Sequence, residues 1–235
     1  MISGAETAII ATSLLVGATA TLTWTELALM ERPGRRRRLA IGLVCAGVSA
    51  LICAWSALRI VPLVLIAVAA LCSAYRDGPL RDGADDMLMV SSVGAAVASL
   101  PVADWTKVMA LAFVAGQLLL SYLIAGAAKL AGSDWRHGSA VVDVLATRDF
   151  GRTVPRLLQG AGPAGRLASW GTIVLELTLP VMFVMGGPLL LPAVALGAMF
   201  HLGIATMLGL NRFLPAFLSA YPAAIFCTVH FGIFG

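Results

Sequence analysis

Apolar runs of span length follow one another along almost the whole chain, broken by short polar turns and one longer segment. An α-helix needs about 20 apolar residues to cross a hydrocarbon core. Windows of that length mark eight candidates, at about 8–30, 39–58, 60–75, 87–101, 106–131, 167–186, 188–208 and 213–234. The third and fourth are short, so the count is seven or eight. With 60% hydrophobic and 12% charged residues, the chain holds about half the charge of a soluble domain. The expected fold is therefore all-α: a polytopic helical membrane bundle of about eight transmembrane helices, in a single integral membrane domain over 1–235. Spans use up nearly all 235 residues, which places function in the bundle or its short loops.

Basic residues set the expected orientation. Arg32, Arg35 to Arg38, Arg76, Arg81, Arg136, Arg148, Arg152, Arg156, Arg166 and Arg212 fall in alternate loops, whereas Arg59 and Lys107 lie on the other side. The arginine-rich side is the cytoplasmic one by the positive-inside rule. Eight spans preserve this alternation and seven break it, so eight is kept, in a plasma (inner) membrane with both termini outside. MISGAETAII has no basic n-region, and the positive cluster follows the first apolar run. A cleavable signal has the reverse order, so Ala8 to Met30 reads as a retained first span.

Residues 132 to 166 form the one long loop, which the charge census makes cytoplasmic. Trp135, Ala140, Val141, Val144 and Leu145, then Phe150, Val154, Leu157 and Leu158, recur at three- and four-residue spacing among arginines. That spacing predicts an amphipathic segment lying at the interface between the fifth and sixth spans. GAGPAG at 160 to 165 then breaks the chain before the sixth span.

Several function classes are disfavoured. The net charge of +4 is confined to loops where basic residues are expected anyway, so no nucleic acid is expected as a partner. Cys45, Cys53, Cys72 and Cys227 lie in apolar runs and form no CxxC; HxxxH and ExxH are absent as well. No metal site is expected. His201 and His230 fall toward opposite faces, which excludes a haem held between them. GAGPAG lacks the lysine and strand of a phosphate-binding loop. Paired broken helices and inverted repeats, the marks of many transporters, are not visible.

Ionisable groups inside spans cost a few kcal/mol each at the bilayer centre and mark sites by default. Here they are Glu26, Lys129, Glu176 and His201, with His230 further out. At about 1.5 Å per residue, the first four fall in the same, cytoplasmic half, as a shared cavity requires. Each also has a structural reading. Lys129, near the end of its run, can snorkel to the headgroups, and Glu26 can anchor a span end beside Arg32. His201 can be a core histidine bonded to a backbone carbonyl. Glu176 is mid-span, and Pro180 removes the hydrogen bond its carbonyl would accept, which favours a cavity-lining kink.

The segment Tyr122-Leu-Ile-Ala-Gly-Ala-Ala-Lys129-Leu, followed by Asp134-Trp135-Arg136-x-Gly138, resembles the signature of the horizontally transferred transmembrane (HTTM) domain, the membrane part shared with vitamin K-dependent gamma-carboxylases. The likeness continues through Glu176-Leu-Thr-Leu-Pro180 and Phe200-His201-Leu-Gly-Ile-Ala-Thr-Met-Leu-Gly, covering roughly residues 80 to 225. A looser similarity to small quinone-linked membrane proteins of the DoxX kind ends at the Gly-x-x-Lys-Leu segment. The resemblance implies a helical membrane enzyme in which Lys129 is a base toward a quinone or hydroquinone. Asp85 and Asp86 stand where the carboxylase has a further histidine, and no large extramembrane peptide-binding domain is present. The expectation therefore stops short of gamma-carboxylation itself.

Two functions follow. The first is a membrane enzyme acting on a lipid-soluble, quinone-like or peptide substrate, with Lys129 as base and His201 and Glu176 holding or relaying the proton. In it Tyr122, Trp135 and Arg136 contact substrate, Trp135 and Arg136 close the mouth, and Asp85 and Asp86 position Lys129 or Arg136. The second is a non-catalytic membrane subunit, or a maturation or immunity factor, docking a membrane protein partner through small residues such as Gly17, Gly42, Gly47 and Gly94.

Overall fold

The computed structural model describes residues 2–30, 34–77, 82–146 and 162–233. Helices α1 (Ile2–Met30), α2 (Arg35–Cys53), α3 (Ile60–Asp77), α4 (Gly83–Ser99) and α5 (Asp104–Ala131) come first. Two short helices, α6 (Ser133–His137) and α7 (Ser139–Ala146), follow. The chain ends with α8 (Pro163–Met185), α9 (Leu190–Leu208), α10 (Phe213–Leu218) and α11 (Tyr221–Phe231). No strand occurs among the described residues.

Among the described residues, five segments are long and apolar enough to cross a membrane: Ser3–Leu29, Asp104–Ala131, Pro163–Met185, Gly187–Leu208 and Phe213–Phe231. The chain is thus an all-α, multi-pass helical membrane protein in contact with lipid. The other three expected spans are helices that fall short of this measure. Arg35 to Arg38 occupy the first turn of α2. The apolar helix around α3 covers only Ala57–Cys72. α4 has 17 residues, with Asp85 and Asp86 in its first turn, about 26 Å in all. Of the expected amphipathic loop, α6 and α7 are helical as anticipated. Phe150, Val154, Leu157 and Leu158 lie outside the described residues, as do Arg32, Arg81, Arg148, Arg152 and Arg156.

The chain divides into two compact units, Met1–Leu118 with Arg212–His230, and Leu119–Asn211 with Phe231–Gly235. In the first, α1 and α2 meet at two glycines. A Cβ on Gly17 would lie 2.8 Å from the Gly47 carbonyl oxygen, and one on Gly47 would lie 2.5 Å from Thr21 Oγ1. Small residues allow this backbone approach where lipid supplies no hydrophobic drive. Val16, Ala20, Trp24, Ala46, Ala50, Leu63, Ile66, Leu88, Ala95 and Ala96 form the adjoining core.

Two arginines tie this unit together. Buried Arg59 donates to Ser99 Oγ (3.0 Å), the Ala54 carbonyl (2.9 Å) and Glu6 Oε1 (2.6 Å). Arg212 donates to Asp85 Oδ1 (3.0 Å) and Asp82 Oδ2 (3.1 Å). Asp82 also caps α4 by accepting from the Ala84 and Asp85 amides.

Candidate functional site

In the second unit, three side positions of α5 fall on one helical stripe. Tyr122, Gly126 and Lys129 are spaced four and three residues apart, the spacing that stacks positions on one face. Tyr122 and Lys129 are seven residues apart, about 10 Å along the axis. Their neighbours come from α8 and α9.

Gly126 sets the approach of α8. It is buried, and a Cβ there would lie 2.9 Å from Leu177 Cγ and 3.1 Å from Glu176 Cβ. With that side chain absent, Lys129 Nζ reaches both carboxylate oxygens of Glu176, Oε1 at 2.9 Å and Oε2 at 2.7 Å. The glutamate side chain is 5% exposed and that of the lysine 20%. Lys129 therefore does not end free among headgroups. Its ammonium also lies 5.2 Å from the centroid of the Trp135 ring, within cation–π range.

Trp135 is held there by local chain geometry. The Gly132 amide donates to the Ala128 and Lys129 carbonyls, ending α5, and α6 starts at once. Gly138 then turns the chain with a left-handed φ of 87°. A Cβ on it would lie 2.5 Å from the Arg166 nitrogen. Sterics thus admit only glycine between α6, α7 and the start of α8.

Two turns deeper along α5, the Tyr122 hydroxyl and His201 Nε2 share a hydrogen bond of 2.8 Å, whose donor is set by the imidazole tautomer. Both residues are 2% exposed. The rings lie 5.7 Å apart, and Phe200 packs edge-on to the imidazole at 5.3 Å.

Of the residues expected to form a site, Lys129 with Glu176 and Tyr122 with His201 thus form two hydrogen-bonded pairs in one unit, with the Trp135 ring beside the first. Arg136 is exposed at the end of α6. Asp85 and Asp86 belong to the other unit, where Asp85 holds Arg212 and Asp86 is exposed. Glu26 is in that unit too, half-buried on α1. His230 is placed by its Phe226 carbonyl bond at 2.8 Å. In the sequence Gly126 is one of the small residues leading up to Lys129, and its place between Tyr122 and Lys129 on one stripe is the signal for its packing role. Among the described residues no group of three or more His, Cys, Asp or Glu side chains could hold a metal ion.

The Lys129 ammonium can pass one proton to the Glu176 carboxylate it bonds. Moving it to Glu176 leaves a neutral amine with a lone pair and a neutral acid. No family model, curated protein or solved structure matches this chain.

Proposed function

We propose that this multi-pass membrane protein is an HTTM-like enzyme that takes a lipid-soluble, quinone-like ligand beside the Lys129–Glu176 pair. The eight-span topology with both termini outside the cytoplasm is part of the proposal. In this reading Glu176 accepts the Lys129 proton, and the neutral amine then takes a proton from a hydroquinone hydroxyl. The products are a hydroquinone monoanion and an ammonium beside a protonated Glu176, which releases its proton to restore the ion pair. Trp135 covers the amine and limits water, and Tyr122 with His201 offers a second hydrogen-bonding end.

The observation that carries the reading is the ion pair itself, with both carboxylate oxygens bonded to a lysine inside a helical membrane unit. Two oppositely charged groups taken out of water do not by themselves add stability over an apolar pair of similar volume. Their cost is explained if the proton they share is used. The second reading, a non-catalytic partner subunit, has less to draw on, because Gly17 and Gly47 are consumed by α1 and α2 packing against each other. Of the glycines expected to dock a partner, Gly42 has open space around it and is available to a partner helix.

The test is purification from native membranes followed by quantification of extracted quinone. The expected result is near-stoichiometric quinone in the wild type, lost in the double variant Lys129→Met/Glu176→Leu, which keeps the volume and removes the charges. Quinone retained equally by that variant, or a stoichiometric membrane partner with no quinone, would overturn the reading.

A further inference from the structure

The N-terminal end of α8 carries a groove that the proposed chemistry does not use. It has a volume of about 460 Å³ and is lined by His137, Gly162, Pro163, Arg166, Leu167 and Trp170. All six belong to the second unit. Its polar lining is cationic or basic, with the guanidinium of Arg166 and the imidazole of His137. Among the described residues Arg166 makes no side-chain ion pair or hydrogen bond. His137 Nδ1 donates to the Ser133 carbonyl at 2.8 Å, so Nε2 is the atom left to face a ligand, and it donates when the ring is protonated.

The apolar side of the groove continues along the span. Leu167 is 76% exposed and Trp170 38%, and Val174 (53%) and Val181 (58%) extend the same surface down α8. These positions recur at three- to four-residue multiples, so they form one face of the helix. A tryptophan at a span end is a usual mark of the headgroup level. Cation and aromatic at the mouth, with an exposed aliphatic face leading away along the span, match one kind of ligand.

We propose that this groove binds an anionic phospholipid, with its phosphate on Arg166 and His137 and its acyl chain along Leu167, Trp170 and Val174. Charge complementarity at the mouth and the apolar face together select a lipid over a soluble anion. Basic pockets beside transmembrane helices bind anionic headgroups on the same physical grounds. The assignment is independent of the Lys129–Glu176 chemistry.

The full chain, delipidated in detergent, is titrated with dioleoylphosphatidylglycerol or dioleoylphosphatidylcholine, and bound lipid is counted by native mass spectrometry. Wild type is expected to retain phosphatidylglycerol at least about tenfold better than phosphatidylcholine. Arg166→Gln should weaken phosphatidylglycerol by about fivefold, from roughly 1 kcal/mol per interfacial cation, and leave phosphatidylcholine unchanged. Arg166→Lys, which keeps the charge, should retain most of the preference and guards against a folding artefact. Equal retention of the two lipids, or an unchanged preference in Arg166→Gln, overturns the proposal. So does displacement of phosphatidylglycerol by millimolar inorganic phosphate, which would make the groove a site for free anions.

Discussion

Lys129 shows how little of a residue's role is set by its own chemistry. A lysine two positions from the end of a 28-residue helix can reach water, and on composition alone it should. It turns inward because Glu176 is buried at 5% side-chain exposure and needs a cation. Removing one member of such a pair strands the other, at about 3–5 kcal/mol. Lys129→Ala should therefore lower stability by about that amount, read as a drop in the unfolding midpoint in detergent, and Lys129→Met/Glu176→Leu should recover most of it. A Lys129→Ala protein as stable as wild type would show that the pair is not formed. Tyr122→Phe removes one interhelical hydrogen bond to His201 and should cost about 0.6–1.7 kcal/mol. A larger loss would point to further bonds at the hydroxyl. The sequence identified all five side chains as candidates, since ionisable groups inside spans stand out and the family resemblance added Tyr122 and Trp135. It did not show who pairs with whom, because pairing depends on how helices distant in sequence are rotated about their axes.

At the scale of the element, glycines decide where helices touch. Gly126 allows α8 to come within reach of Lys129, so Gly126→Leu should force the two helices apart and cost about 1–3 kcal/mol by overpacking. Gly116→Ala on the same helix, where a Cβ meets nothing within 4 Å, is the control and should be neutral. If both variants behave alike in thermal unfolding, the close approach at Gly126 is wrong. Gly138→Ala is a sharper case, because both its φ of 87° and the Arg166 backbone resist a side chain. It should disturb the end of α6 and its turn into α7, and so remove Trp135 from Lys129, seen as a changed tryptophan fluorescence. The ends of α5, α8 and α9 are close to those expected from the apolar runs. By contrast, Phe213–Phe231 is interrupted between Leu218 and Tyr221. Pro222 lacks the amide that would bond to the Leu218 carbonyl.

At the scale of the whole molecule, the number of crossings fixes the sides on which the two termini lie. Eight spans put both termini on one side, whereas five crossings, the number of helices among the described residues that meet span length and hydropathy, would put them on opposite sides. Reporter tags at each terminus, tested for protease access in sealed vesicles, should both be reached from the outside if eight segments cross. Access to one alone would require an odd count. Hydropathy could establish by itself that the chain is an all-α membrane protein, because apolar runs without water partners for their backbone must close their own hydrogen bonds. It also located the polar residues that such a setting makes costly. Only the tertiary structure decided that Asp85 serves Arg212, that Arg59 is a buried hub bonded to α1 and α4, and that Lys129 finds Glu176. The reason is common to all three: a buried charge must be paired, but which partner it meets is set by helix rotation and close approach, and those are settled by the packing of many small residues together.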